Sequence, residues 1–227
     1  EIELKKVKHH LYGFVSVKNY FSVGEWIKSV KAKVLECDKN NKTAILVGGT
    51  GLYFNAITNG ISKIPEINSK IRKSVRDLHK KIGQKNFYKK LITIDPYVKN
   101  KFQSSDTQRT LRAYEVKVST KKSLYEWAKN TKSDFLAYDI KKIFLNISKD
   151  DLLEKISKRT EMMFKNKCTN EVKNFLKLNI DKSLSPNKLI GVKEISDYLS
   201  GINTLKQAQD LINIKTRQYA KRQNTWS

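Results

Sequence analysis

The chain has only two cysteines in 227 residues, Cys37 and Cys168, and they lie too far apart for a metal site or a disulfide framework. They read as small, buried or half-buried residues of a reduced, intracellular protein. No apolar run approaches the roughly 20 residues that span a bilayer, and no secretory pattern opens the chain. The expectation is no membrane, a cytoplasmic location and a monomer. Acidic residues are also scarce, 22 against 46 Lys and Arg, for a net charge of +24. That imbalance favours a polyanionic partner, nucleic acid first and an anionic membrane surface second. A bias of the whole composition toward Lys, Asn and Ile would give the same count. An initiator Met is missing before Glu1-Ile2-Glu3-Leu4, which suggests a start partway through a longer protein. What is present, 39% hydrophobic and 30% charged residues, suits a rather polar globular protein with one sizeable domain or a core with an appendage.

The organising stretch is Thr43-Ala44-Ile45-Leu46-Val47-Gly48-Gly49-Thr50-Gly51-Leu52-Tyr53. Its β-branched run predicts a buried strand, Gly48-Gly49 ends it, and Thr50 stands where a helix begins. Such a turn offers backbone N–H groups and a hydroxyl to an anion, or is simply a tight αβ turn. It lacks the Lys-Ser/Thr ending of a Walker A loop.

Ser22-Val23-Gly24-Glu25 has capping-box form ahead of Trp26, Ile27, Val30 and Val34 on one helical face. Helix, strand, glycine turn and helix in succession predict an α/β core with parallel strands. Residues 64–131 carry helical patterns only: Ile67 to Ile82, Phe87 to Ile92, a short helix from Asp95-Pro96, one capped by Ser105 or Asp106, and one opened by the capping box Ser123-Leu124-Tyr125-Glu126. They read as an all-helical insertion, with residues 1–63 and 132–227 forming the core. The core resumes in a second predicted strand, Ile143-Phe144-Leu145-Asn146-Ile147, followed by helices from Ser148, at 170–178, at 192–199 and at 204–222.

Among polar residues, Arg159 is predicted at the edge of the Leu152/Ile156/Met163 stripe, half-turned toward the core, where it needs a carboxylate or a phosphate. Arg109 and Arg112 lie three apart on one helix, with Gln108 alongside, and suit phosphates and base edges or a solvated surface. Lys188 to Lys193 and Thr216 to Trp226 add basic groups interleaved with Tyr219 and Trp226, a pattern for phosphate contact and base stacking. His9-His10 lacks a third ligand nearby, so no metal site is read.

Five stretches together resemble the tRNA dimethylallyltransferases, the tRNA isopentenyltransferase family: His9-His10-Leu11; Val47 to Tyr53; Asp106-Thr107-Gln108-Arg109 with Arg112-Ala113-Tyr114-Glu115-Val116; Ile190-Gly191-Val192-Lys193-Glu194; and Thr216 to Gln223 with Thr225-Trp226. The resemblance implies a P-loop-NTPase-like α/β core of parallel strands, interrupted by an all-helical insertion domain that contacts tRNA. It implies transfer of a dimethylallyl group from dimethylallyl diphosphate, with Mg²⁺, to N6 of a flipped adenosine 3′-adjacent to the anticodon. Thr50 would lie by that nucleotide, and Arg159 would bind the diphosphate. Arg72, Gln108, Arg109, Arg112, Lys188, Gly191, Lys193, Lys221, Arg222 and Gln223 would lie along the anticodon stem-loop.

The chain departs from the family pattern as well. The family's phosphate loop, with its Mg²⁺-binding Ser/Thr, and the segment holding its general-base Asp have no counterpart in these residues. Thr107 replaces a common Pro, and Lys188 and Lys193 replace usual Arg, which weakens bidentate contact there. An interior piece of the enzyme that binds tRNA better than it catalyses is the expectation. The alternatives are a non-catalytic RNA-binding remnant and an adenylate isopentenyltransferase.

Overall fold

The structure is a computed structural model and describes residues 7–182 and 184–225. By backbone contacts the chain divides into two compact units, Glu1–Phe54 with Asp139–Ser227, and Asn55–Tyr138. The ends Glu1 to Lys6 and Trp226-Ser227, and with them the Trp226 of the expected C-terminal motif, lie outside the described residues.

In the first unit, α1 (Val23–Lys39) begins at the expected capping box: Ser22 accepts from the Glu25 N–H, and the Glu25 carboxylate accepts from the Ser22 N–H at 2.7 Å. Ile27, Val30 and Val34 are its buried face. Helix α2 (Gly51–Thr58) starts directly after Thr50, as the glycine turn predicts. Four helices follow in the second half, α6 (Lys149–Lys165), α7 (Cys168–Lys177), α8 (Val192–Leu199) and α9 (Leu205–Asn224). Ser148 caps α6 and Thr204 opens α9 with a Thr–Gln capping box, so both starts were written locally. Helix α9 packs on α6 and α8, and α7 packs on both α6 and α8. Cys168, Val172, Ile195 and Ile212 form the shared core, with Met163 and Phe164 against it.

The second unit is helical throughout its ordered elements. Asn68 caps α3 (Ser69–Ile94), which breaks at Gly83 (φ 74°), so the two helices read from sequence are both present on either side of the kink. A 3-10 turn at Pro96–Val98 leads toward α4 (Thr107–Thr120), capped by Asp106, and α5 (Leu124–Lys129), opened by the Ser123–Glu126 capping box. Val75, Phe87, Leu91, Val98, Phe102, Leu111, Ala113 and Tyr114 make one core between α3 and α4. Each Val, Leu or Phe side chain among them contributes about 1.5–3 kcal/mol when fully buried. The unit closes at Gly60, whose φ of +86° and contact with the Lys132 carbonyl leave no room for a Cβ.

The two expected strands do not appear among the described residues; there is no strand there, and 43–47 and 143–147 are irregular. A strand exists only through a neighbour's hydrogen bonds, and neither segment has one. Their apolar side chains are accordingly exposed: Ile45 by 80%, and Val47, Ile143 and Leu145 each by 86%.

Candidate functional site

In the first unit the glycine turn meets the C-terminal helix. The Gln223 amide of α9 donates to the Gly49 carbonyl at 2.9 Å, and the Thr50 hydroxyl lies 3.5 Å from the Tyr219 hydroxyl. A Cβ on Gly49 would collide with the Gln223 amide, so the glycine serves close approach of a helix side chain. Tyr219 and Gln223 are four apart, one helical turn, and so reach the same loop. Arg222 lies over the Tyr219 ring, 5.9 Å from its centroid. Below the turn, Trp26 of α1 stacks on Tyr53 of α2 at 4.2 Å between ring centroids and 16° between planes. Thr50 is exposed, with its hydroxyl presented at the start of a helix.

The same unit builds a second constellation at the start of α8. The Gly191 N–H donates to Glu194 at 2.8 Å, and the other carboxylate oxygen of Glu194 takes the Lys215 ammonium from α9. Burial opposes ionisation of Glu194, but the Lys215 hydrogen bond and the backbone N–H groups outweigh it and hold the carboxyl below its usual value. Gly191 is thus buried and fixed, whereas Lys188 and Lys193 are exposed, Lys193 pairing with Asp197 at 2.6 Å. Lys221 and Arg222 are exposed too, and Gln223 is half-buried.

Arg159 does not sit where its helical position predicts. It is exposed, and no carboxylate pairs with it among the described residues. The core-facing positions of α6 are Ile156 and Thr160, the latter donating to Asn213 of α9 at 2.6 Å. With 156 and 160 defining the buried stripe, position 159 falls beyond its edge.

In the second unit α3 and α4 present a basic face. Arg109 pairs with the capping Asp106 at 3.5 Å, Gln108 is exposed, and Arg72 and Arg112 are half-buried. Arg76 and Arg112 flank the buried Glu115 at 3.9 and 4.0 Å. Glu115 stands inside the motif read from sequence, yet its burial was not foreseen. The (i, i+3) spacing to Arg112 and the (i, i+4) pair Arg72/Arg76 on the facing helix are the pattern that exposes it. Cation–aromatic pairs, Lys101 and Lys129 over Tyr97 and Lys122 over Trp127, add to the basic character of this unit. Among the described residues no cluster of three or more His, Cys, Asp or Glu could hold a metal. No described helix is long and apolar enough to cross a membrane.

The sequence model of the IPP transferase family matches residues 1–227. A tRNA dimethylallyltransferase of Pelagibacter ubique is 51% identical over 225 residues, covering 99% of this chain and 72% of its own length. The chain belongs to the IPP transferase family. Another member, a tRNA dimethylallyltransferase of Rickettsia massiliae, is 39% identical over 97% of this chain and 61% of its own length. The chain thus spans between about three fifths and three quarters of these relatives. A solved structure of a eukaryotic dimethylallyltransferase acting on tRNA superposes with a TM-score of 0.80 at 21% identity, over 99% of this chain and 57% of that one. That likeness shows a shared fold over 99% of this chain.

Proposed function

We propose that this IPP transferase carries the nucleic-acid side of a tRNA dimethylallyltransferase, placing an adenosine 3′-adjacent to the anticodon so that its N6 attacks C1 of dimethylallyl diphosphate. The observation that carries this reading is the tie between the glycine turn and α9, Thr50 to Tyr219 and Gly49 to Gln223, within a chain matched to the family along its length. It fixes one hydroxyl at a helix start beside a tail of exposed Lys221 and Arg222. Bond formation from N6 to C1 breaks the C1–O bond; diphosphate leaves with the electron pair and N6 loses a proton. Arg159, exposed and without a protein carboxylate among the described residues, is available to the departing diphosphate. Arg72, Gln108, Arg109 and Arg112 of the second unit, with Thr50, Lys188, Gly191, Lys193, Lys221, Arg222 and Gln223 of the first, are the proposed tRNA-binding set.

The parallel-sheet core belongs to the proposal too. Exposed Ile45, Val47 and Ile143 are β-branched, and with the apolar Leu145 they suit sheet positions rather than water. Residues 64–131 are proposed as the tRNA-contacting insertion, and the enzyme as a cytoplasmic monomer. Mg²⁺ is expected from the chemistry of diphosphate; among the described residues no group of three or more His, Cys, Asp or Glu could hold it, and no step is routed through it.

A competition assay tests the reading. The natural-length protein, given dimethylallyl diphosphate, Mg²⁺, an anticodon stem-loop and adenosine monophosphate, is expected to modify the RNA. Preferential modification of the free nucleotide would identify an adenylate isopentenyltransferase instead.

A further inference from the structure

Glu115 is 95% shielded from solvent, since its relative exposure is 5%. It lies on α4 and faces α3, the helix packed against it. Around it stand three guanidinium groups: Arg76 at 3.9 Å, Arg112 at 4.0 Å and Arg72 close enough to act on its charge. Among the described residues, three guanidiniums gather on one buried carboxylate. Distances near 4 Å are ion pairs, too long for direct hydrogen bonds. The Arg72 Nε is buried with no hydrogen-bond partner among the described residues. Burial pushes the Glu115 carboxyl up despite the three arginines, so this charge is held at a cost to the fold. A buried charge that costs stability and gathers three arginines suits a site that orients cations for an outside anion.

We propose that Glu115 is a positioning residue whose buried carboxylate holds Arg72 and Arg112 as paired ligands for the backbone phosphates of an RNA strand. This rests on the RNA reading above and adds to it a residue and a role. The carboxylate gathers the two guanidiniums by charge, and Arg binds a phosphate with planar, paired N–H groups. Arg76 is the more exposed of the flanking pair, its side chain 53% accessible against 42% for Arg112, and serves to balance the buried charge.

The test exploits a conflict of sign. Glu115→Gln raises the net charge by one, so attraction by bulk charge alone predicts tighter RNA binding. Positioning predicts weaker binding, by about five- to tenfold, with the slope of log K against log salt reduced by about one. Helix content and thermal midpoint should be no lower than those of the unaltered chain. Glu115→Asp, which keeps the charge, should recover most of the affinity. Equal or tighter binding by Glu115→Gln overturns the inference while leaving the RNA reading intact. If the unaltered chain itself does not bind an anticodon stem-loop, the RNA reading falls and this inference with it. Should Glu115→Gln fail to fold, Arg72→Gln decides: the account expects a similar loss of affinity and slope, and an unchanged slope refutes it.

Discussion

At the scale of single residues, the ties between the turn and α9 have separable consequences. Tyr219→Phe deletes the hydroxyl facing Thr50 and leaves the helix intact, so turnover on tRNA should fall while the thermal midpoint holds. Arg159→Ala, made in the natural-length protein, should reduce kcat more than tRNA affinity; equal losses would show that Arg159 binds RNA rather than diphosphate. Gly60→Ala belongs to the fold instead: φ of +86° and the Lys132 backbone oxygen against the added methyl should cost about 2 kcal/mol or more, measured by denaturant melting. Arg159 shows what one residue's spacing leaves undecided. A helical wheel placed it at the margin of a stripe, and only the partner of Thr160, Asn213 on another helix, fixes which margin faces solvent. Gln223 is similar, since its bond to Gly49 joins positions 174 apart in sequence.

At the scale of elements, legibility follows how local the determinants are. The caps at Ser22, Asp106, Ser123, Ser148 and Thr204 were all readable because each joins groups three residues apart. Apolar runs at 43–47 and 143–147 were not, because a strand is a property of two segments and no described segment pairs with either. The helix caps also carry a pH signature. The Glu194 carboxyl titrates below its ordinary value of 4.5, so its stabilisation is present above that value and lost as pH falls through the lowered one. Glu194→Gln should therefore lower the thermal midpoint at neutral pH, by about 1.5–3 kcal/mol in stability, with the difference vanishing in acid. Glu115 has the opposite sign. Its carboxyl titrates above the ordinary value, so the folded state is favoured below that value and loses the contribution as pH rises through the raised one. Paired melts of the two Gln variants across acidic pH separate these trends.

At the scale of the whole molecule, the net charge of +24 sets the first encounter with any polyanion. Binding to an anticodon stem-loop should weaken steeply with salt, as several phosphates are neutralised; a flat response would count against an RNA partner. Charge alone does not choose an adenosine; the proposed function assigns that choice to the turn at Gly48–Thr50 and the side chains fixed around it. The most direct measurement is nucleoside mass spectrometry of tRNA incubated with the natural-length protein, dimethylallyl diphosphate and Mg²⁺. The account predicts N6-dimethylallyladenosine at the position 3′-adjacent to the anticodon; tRNA that binds but returns with that adenosine unmodified would contradict it.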